Sequence, residues 1–294
     1  MTLGLVRIIV NPASGRGPGP LVAQLVYHLG LRGFEVEARQ IRPHERAEDL
    51  AAATPDDAYC VVSVGGDGTH RSVFAGLLNR PVPICVVAGG TENVLAKTFA
   101  LRGGLQAIIK RIQANRCVPM DIGMAGGVAF VMYAGVGFDA AVTRAVHETR
   151  HGRITRAAYY APIARLLRTY TFPPLAVTVD GRTIMEDAGY VFLGNTPLYA
   201  DGMRVASRAI ADDGLLDVVC YRARSGWQLF RSYLPTLSGK HTAHCPNVEY
   251  AQGRRIEIVG TRGPVPCQTD GDAMLDTPVT CTVAPKAVRL MLDA

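Results

Sequence analysis

The segment Val61-Val62-Ser63-Val64-Gly65-Gly66-Asp67-Gly68-Thr69 runs a β-branched strand straight into a glycine turn with one carboxylate and one hydroxyl. Glycine lets a backbone approach a ligand closely and adopt positive φ. His70 to Leu78 reads as a helix, so its free N–H groups and the positive end of its dipole face the turn. Such a turn binds phosphate, and Asp67 is placed to hold a cation or a water beside it. The plainer alternative is a tight strand–helix connection with Asp67 as the helix cap.

The first 120 residues repeat this alternation. Leu5 to Val10 is a strand, followed by the small-residue loop Asn11-Pro12-Ala13-Ser14-Gly15-Arg16-Gly17; Leu21 to Leu31 has helical apolar spacing and stops near Gly33. Phe34 to Ile41 reads as a strand, Glu45 to Ala53 as a helix and Tyr59 to Val64 as the central strand. Val82 to Val87 is a short apolar strand leading into Ala88-Gly89-Gly90-Thr91-Glu92-Asn93, which opens a helix near Val94 to Phe99. Strands alternating with helices predict a mostly parallel, doubly wound α/β sheet. Ligands of such sheets lie beyond the carboxyl ends of the strands. Loops 11–17, 65–69 and 88–93 all fall there and can converge on one crevice.

From about Asp121 the texture changes. Strand-like runs recur at Ala129–Ala134, Leu175–Val179, Gly189–Leu193, Leu215–Tyr221, Arg255–Val259 and Val279–Val283, interrupted by two helices near Arg156–Thr169 and Gly226–Leu237. Asp180-Gly181 between Val179 and Thr183 is a strong hairpin signal. The second half is therefore expected to be all-β, an antiparallel β-sandwich. Ile122 to Phe138, the longest uncharged run, carries five glycines and suits two buried strands turning at Gly126-Gly127 better than a membrane span. Ala287 to Leu292 is read as returning to the first domain. The expected domains are 1–120 joined by 285–294, and 121–284.

Hydrophobic residues at 48% and charged residues at 19% describe a folded chain with ample core. The net charge of +6 favours anionic partners such as nucleotides, phosphates or acidic lipid surfaces. Nothing resembles the basic-aromatic modules that stack bases, which argues against nucleic acid. The seven cysteines are scattered singly without a CxxC pair, which argues against zinc. Their odd number, with no apparent secretory signal, points to reduced thiols in the cytoplasm. A homodimer is left open.

In the first half, Arg16 is available to meet phosphate, Thr91 is either a helix cap or a ligand hydroxyl, and Asn93 and Lys97 are supporting groups. In the second, Asn195 and Tyr199 to Ala206 lead into Ala211-Asp212-Asp213-Gly214-Leu215-Leu216-Asp217. Paired aspartates before glycine make a surface turn or an oxygen-ligand metal site, and the residues alone favour the turn. Thr269-Asp270-Gly271-Asp272 is either a hairpin or the bearer of a catalytic carboxylate. His70 and His241 read as ordinary polar residues. Arg144 to Arg168 holds six arginines and one acid, Glu148, which suits anionic headgroups as well as it suits a solvated helix and loop.

In order, NPxSG, GGDGT, GTxN, a D-G-x-L-D turn and a late D-G-acid resemble the lipid kinases of the bacterial diacylglycerol kinase group, whose catalytic fold sphingosine and ceramide kinases share. The resemblance spans nearly the whole chain. It implies a Rossmann-like ATP domain, a β-sandwich domain, and a lipid site in the cleft between them. Nucleotide contacts fall on Asn11, Pro12, Ala13, Ser14 and Gly15, on Gly65, Gly66, Asp67, Gly68 and Thr69, and on Thr91, with Asn93 in support. The late acid, Asp272, stands where the family carries the carboxylate that deprotonates the lipid hydroxyl. The resemblance also implies a structural magnesium at Asp213 with the backbone oxygens of Ile210 and Leu215, overriding the plain turn.

The chain departs from the pattern in four places. Asp272 stands where Glu is common, His70-Arg71-Ser72 where I-N-E is common, Ile41 where a threonine is usual, and Glu92 lies within GTxN. With ATP and Mg²⁺ as cofactors, the expected reaction is in-line γ-phosphoryl transfer to a lipid hydroxyl, Asp67 lying near the metal and Asp272 acting as base. NAD kinases and phosphofructokinases share GGDG-type loops, and a catalytically inactive nucleotide or lipid sensor is the alternative of a different class.

Overall fold

In the computed structural model, which describes residues 2–14, 19–148, 157–235, 245 and 247–293, the chain divides into two compact units. One comprises residues up to Asp121 together with the segment from Lys286, and the other is Ile122–Pro285. Gly15, Arg16, Gly17, Arg150, Arg153, Arg156 and His241 lie outside the described residues.

The first unit is built from strands β1 (Leu5–Val10), β2 (Glu35–Gln40), β3 (Cys60–Gly65) and β4 (Pro83–Ala88) and helices α1 (Gly19–Gly30), α2 (Ala47–Ala52), α3 (Asp67–Gly76), α4 (Val94–Thr98) and α5 (Leu105–Ala114). The strands run parallel in the order β2-β1-β3-β4. Central strands buried on both faces read as unbroken apolar runs, and all six residues of β3 are buried. Leu25 and Leu29 of α1 and Ile108, Ile109 and Ile112 of α5 pack with Val6, Ile8, Val62, Val64 and Val87 in one core. α3 starts at Asp67, three residues before the expected start, so GGDGT is less a turn than a helix entry.

The second unit begins along β5 (Cys117–Ala125), which pairs with β6 (Val128–Phe130) through a turn at Gly126 and Gly127, both at positive φ. It continues through β7 (Tyr133–Gly137), α6 (Phe138–Glu148), α7 (Ala157–Thr169), β8 (Leu175–Val179), β9 (Arg182–Ala188), β10 (Tyr190–Gly194), β11 (Leu216–Tyr221), α8 (Gly226–Tyr233), β12 (Val248–Gly253), β13 (Arg255–Gly260), β14 (Pro266–Thr269), β15 (Asp272–Asp276) and β16 (Val279–Met291). One sheet is antiparallel in the order β12-β11-β10-β7-β14-β15. β8, β9, β13 and the first part of β16 form the other antiparallel sheet. Ala134, Val191 and Val218 from the first sheet share one core with Val177, Ile256 and Cys281 from the second, which makes this unit a sandwich. Asp180 and Gly181 both take positive φ in the β8–β9 hairpin.

Two expectations are corrected. The single strand Ala129–Ala134 is two strands, because Val131, Met132 and Tyr133 turn their amides toward a side chain instead of a neighbouring strand. A third helix, α6, stands beside the two expected, with Phe138, Val142, Ala145 and Val146 buried. Part of the basic 144–168 segment is thus a packed helix. All seven cysteines are free thiols. Among the described residues no helix is long and apolar enough to cross a membrane.

The end of β16 belongs to the first unit, pairing in parallel with β4 at Leu290 and Ile84. Two residues beyond the strand, Asp293 accepts from Nε of the fully buried Arg111 at 2.7 Å, while that guanidinium also donates to the carbonyls of Val86 and Arg102 at 2.7 Å each. Burial alone would raise the Asp293 carboxyl, but the Arg111 hydrogen bond and the Arg102 amide outweigh it and hold the carboxyl below its usual range. Asp293→Ala should lower stability by about 2–3 kcal/mol in urea titrations, since a buried guanidinium loses its counter-charge. The depressed carboxyl contributes its stability above the unfolded pKa and loses it as pH falls. The gap between wild type and variant should therefore close below about pH 4.

Candidate functional site

β1, β3 and β4 each end in a loop of small residues, and the three loops meet. Asn11 donates its backbone N–H to the Val64 carbonyl at 3.0 Å and its side-chain amide to Thr69 Oγ1 at 3.0 Å. Its Oδ1 accepts the Ala13 N–H at 3.0 Å, and Ser14 folds back so that its hydroxyl reaches the Asn11 carbonyl at 2.8 Å. Pro12 and Ala13 are exposed at the tip. From the third loop, the Gly89 N–H donates to the Gly65 carbonyl at 2.6 Å.

The loops approach closely enough to exclude side chains. A Cβ on Gly90 would stand 2.7 Å from Gly66 Cα, one on Gly65 would meet the Thr69 side chain at 2.6 Å, and one on Gly89 would lie 3.3 Å from Ser14 Oγ. A Cβ on Gly68 would meet nothing within 4 Å. Gly68 is the exposed second residue of α3, where helix N–H groups have no intrahelical acceptor.

Asp67 bridges from α3 to α4. Its Oδ2 accepts the Val94 N–H at 3.1 Å and its Oδ1 the Leu95 N–H at 3.3 Å. Asp67 thus caps α4, the part read as Thr91's alternative role, whereas Thr91 is exposed. Burial pushes the Asp67 carboxyl up, and the two amide hydrogen bonds pull it partway back. Asn93 holds the loop in shape at φ +51, accepting the Gly90 N–H at 2.8 Å and donating to the Gly90 carbonyl at 3.0 Å. Lys97 pairs with Glu92 at 3.5 Å. His70 is buried with its Nδ1 2.8 Å from Ser63 Oγ; burial pushes it down to about 4, so it is a neutral core residue at pH 7. Between α1 and the carboxyl-terminal parts of β1 and β2, an apolar groove of about 520 Å³ is lined by Val10, Val22, Val26, Tyr27, Ala38 and Gln40.

In the sandwich unit, Asp270 and Gly271 are the two positive-φ residues of a tight turn joining β14 to β15, with Thr269 paired to Asp272. The two aspartates have different surroundings. Asp270 points inward and accepts the N–H groups of Val131 at 2.6 Å and of Met132 and Tyr133 at 3.0 Å each. Asp272 begins β15 with its side chain 33% exposed and its Oδ1 3.8 Å from His147 Nε2 on α6.

Sequence reasoning missed Gln268 and Asp139 and gave Tyr199 no part in holding this turn. Gln268 accepts the Gly271 N–H on Oε1 at 2.7 Å and donates from Nε2 to Asp139 at 2.6 Å, while Tyr199 donates its hydroxyl to Asp139 at 2.5 Å. Burial pushes the Asp139 carboxyl up, and the two donors partly restore it. The available signal was Asp139's place as the charge ending the long uncharged run. Asn195 ties to the same region, donating its amide to the Val131 carbonyl at 2.8 Å.

At the D-D-G turn, Gly214 takes φ +74 and Asp213 Oδ1 accepts the Leu215 N–H at 3.0 Å, with Ile210 exposed. Among the described residues no group of three or more His, Cys, Asp and Glu side chains could hold a metal ion. A site at this turn would depend on backbone oxygens. The Asp213 charge adds to the burial that pushes the nearby Asp217 carboxyl up.

Comparison with known proteins covers nearly the whole chain. Residues 5–125 match the diacylglycerol kinase catalytic domain, and residues 131–292 match the YegS C-terminal NAD kinase beta sandwich-like domain. A diacylglycerol kinase of Mycobacterium tuberculosis (strain ATCC 25618 / H37Rv) is 26% identical over 98% of this chain and 95% of its own length. One of Staphylococcus carnosus (strain TM300) is 24% identical over 90% and 88%. A crystal structure of a diacylglycerol kinase from Bacillus anthracis str. Sterne shares the fold with a TM-score of 0.74 at 19% identity, over 99% of this chain and 97% of that one. Another structure from the same organism reaches a TM-score of 0.80 at 22% identity over the same shares. With both units matched in order, the chain belongs to the bacterial diacylglycerol and lipid kinase family.

Proposed function

We propose that this protein is an ATP-dependent lipid kinase that transfers the γ-phosphate to a lipid hydroxyl, converting diacylglycerol or a closely related lipid to its phosphate ester. The observation that carries the reading is the glycine cradle at positions 65, 66, 89 and 90, where an added Cβ would collide at 65 and 90 and be tightly crowded at 66 and 89. Such a cradle at the start of α3 suits phosphate oxygens, which N–H groups recognise without side chains. Asn11 to Gly15, Gly65 to Thr69, Thr91 and Asn93 are the proposed nucleotide-binding residues. Asn11 and Asn93 act by fixing loop shape, while Gly68 and Thr91 are exposed toward solvent.

The donor set fits magnesium, since Asp67 offers carboxylate oxygens and the ion keeps waters for its remaining positions. Bound with ATP, Mg²⁺ would neutralise charge on the phosphate oxygens during transfer. Asp272 is proposed to accept the proton of the lipid hydroxyl as that oxygen attacks. A second magnesium is proposed to brace the turn at Asp213 with the carbonyls of Ile210 and Leu215. The supporting observation is the turn itself, where Gly214 takes φ +74 and Asp213 Oδ1 accepts the Leu215 N–H at 3.0 Å.

The deciding assay supplies labelled ATP with diacylglycerol, ceramide, a sphingoid base and NAD. Label should enter diacylglycerol or a close relative; label in NAD alone would refute the lipid reading. Gly68→Ala separates binding from folding. It should leave stability unchanged or raise it by up to about 1 kcal/mol, as alanine replaces glycine in a helix. ATP affinity should nevertheless fall, because the methyl stands where phosphate would approach. Asp272→Asn should reduce lipid phosphorylation by about 10²–10⁴-fold while ATP still binds. Asp213→Ala should lower the melting temperature and abolish any further rise on adding Mg²⁺ without nucleotide; a wild-type melting point indifferent to Mg²⁺ would remove the ion from that turn.

A further inference from the structure

Helix α8 is well started and badly covered. Ser225 accepts the Gln228 N–H at 3.3 Å and Gln228 accepts the Arg224 N–H at 2.8 Å, a reciprocal cap that fixes the helix without outside help. Leu229 and Ser232 face inward. On the opposite side, Trp227 is 67% exposed, Phe230 45% and Leu234 48%. Their spacing of three, four and seven places them on one stripe. The Trp227 and Phe230 rings stack at 5.8 Å, so the stripe is an ordered apolar surface. Trp227 is the one tryptophan in the chain.

α7 lies directly against this helix. A Cβ on Gly226 would come within 1.9 Å of the Leu167 carbonyl oxygen, so the two backbones touch there. Every residue of α7 is at least partly exposed, and Tyr160 is 64% exposed. Neither α7 nor the stretch from Arg222 to Pro235 contains an acid, whereas Arg165, Arg168 and Arg231 are all exposed.

Aromatic side chains with guanidinium groups beside them suit the boundary between lipid headgroups and acyl chains, with the rings entering the apolar edge and the cations meeting lipid phosphates. A second copy of this chain is the poorer partner, because it would set arginines against arginines. We propose that the outer face of α8, with the basic face of α7 beside it, docks this protein on an anionic bilayer, Trp227 and Phe230 entering the headgroup boundary. The proposal rests on the lipid-kinase reading for its purpose, since a water-soluble kinase must reach an acceptor held in a bilayer.

The single tryptophan makes the test direct. Trp227 emission should shift to the blue on adding phosphatidylglycerol vesicles, be quenched by lipids brominated on their acyl chains, and respond far less to phosphatidylcholine vesicles. Phe230→Ser with Leu234→Ser should cut vesicle binding by about tenfold or more. Reversing Arg165, Arg168 and Arg231 to Glu should cut it by about a hundredfold at low salt. Both variants should keep wild-type turnover on a short-chain acceptor dispersed in water and lose it on vesicles. Co-sedimentation with anionic vesicles without any change in Trp227 emission would overturn the proposal. So would a blue shift that depends on protein concentration alone, which would make the face a contact between copies. If Trp227 enters vesicles while the wild type phosphorylates neither dispersed nor bilayer lipid, the docking surface stands and the kinase reading fails.

Discussion

A side chain at position 90 would stand 2.7 Å from Gly66 Cα and drive two loops apart, and the carboxyl-end loops of the first unit depend on that exclusion. The approach of Gly90 to Gly66 lets the Gly89 N–H reach the Gly65 carbonyl at 2.6 Å. It also brings the amino end of α4 within reach of Asp67. A five-residue helix cannot nucleate by itself, so α4 exists because Asp67 and the loop geometry hold its first turn. Asn11 extends the same frame to the first loop through Thr69. Loops held this way would form, for the proposed phosphate site, a frame organised before any ligand arrives, which is where phosphoryl transfer gains most of its advantage.

The sandwich unit uses a carboxylate in a comparable way at a gap in a sheet. Between β6 and β7 three consecutive amides leave the ladder, and leaving them unpaired in the interior would cost several kcal/mol in all. Asp270 takes all three. Its two-residue turn is fixed from the other side by Gln268, which Asp139 and Tyr199 hold in turn. The break, the turn and the start of β15 are therefore linked in one hydrogen-bonded unit.

Legibility followed the range of the interactions. The βα alternation was readable because strands buried on both faces announce themselves as apolar runs, and Asp180-Gly181 because two positive-φ positions are a local demand. The start of α3 was placed three residues late, since Gly66-Asp67-Gly68 has poor helix propensity; a first turn anchored by Asp67 does not need it. α6 was hidden behind the glycines of Gly135 and Gly137, which read as strand and turn. The split between β6 and β7 could not be read at all, because its cause, Asp270, lies 139 residues from Val131. The same distance problem concealed Gln268 and Asp139, which are 129 residues apart. Of the candidate site, the three small-residue loops at the strand ends were local and readable, and the support of the D-G-D turn was not.

That support bears on which carboxylate takes a proton. Asp270 offers lone pairs to three amide donors, so protonating it would cost at least one of those hydrogen bonds and loosen the strand break. Asp139 is committed to Tyr199 and Gln268 in the same manner. Asp67 holds two amides of α4. Asp272 differs in kind, standing on the first residue of a strand whose preceding turn is already fixed, partly open to solvent and facing His147. A general base must change its protonation in every turnover without unfolding its surroundings. Asp270, Asp139 and Asp67 are thus each tied to donors that hold the fold, and the proposed role of base falls to the partly exposed Asp272 of the same hairpin.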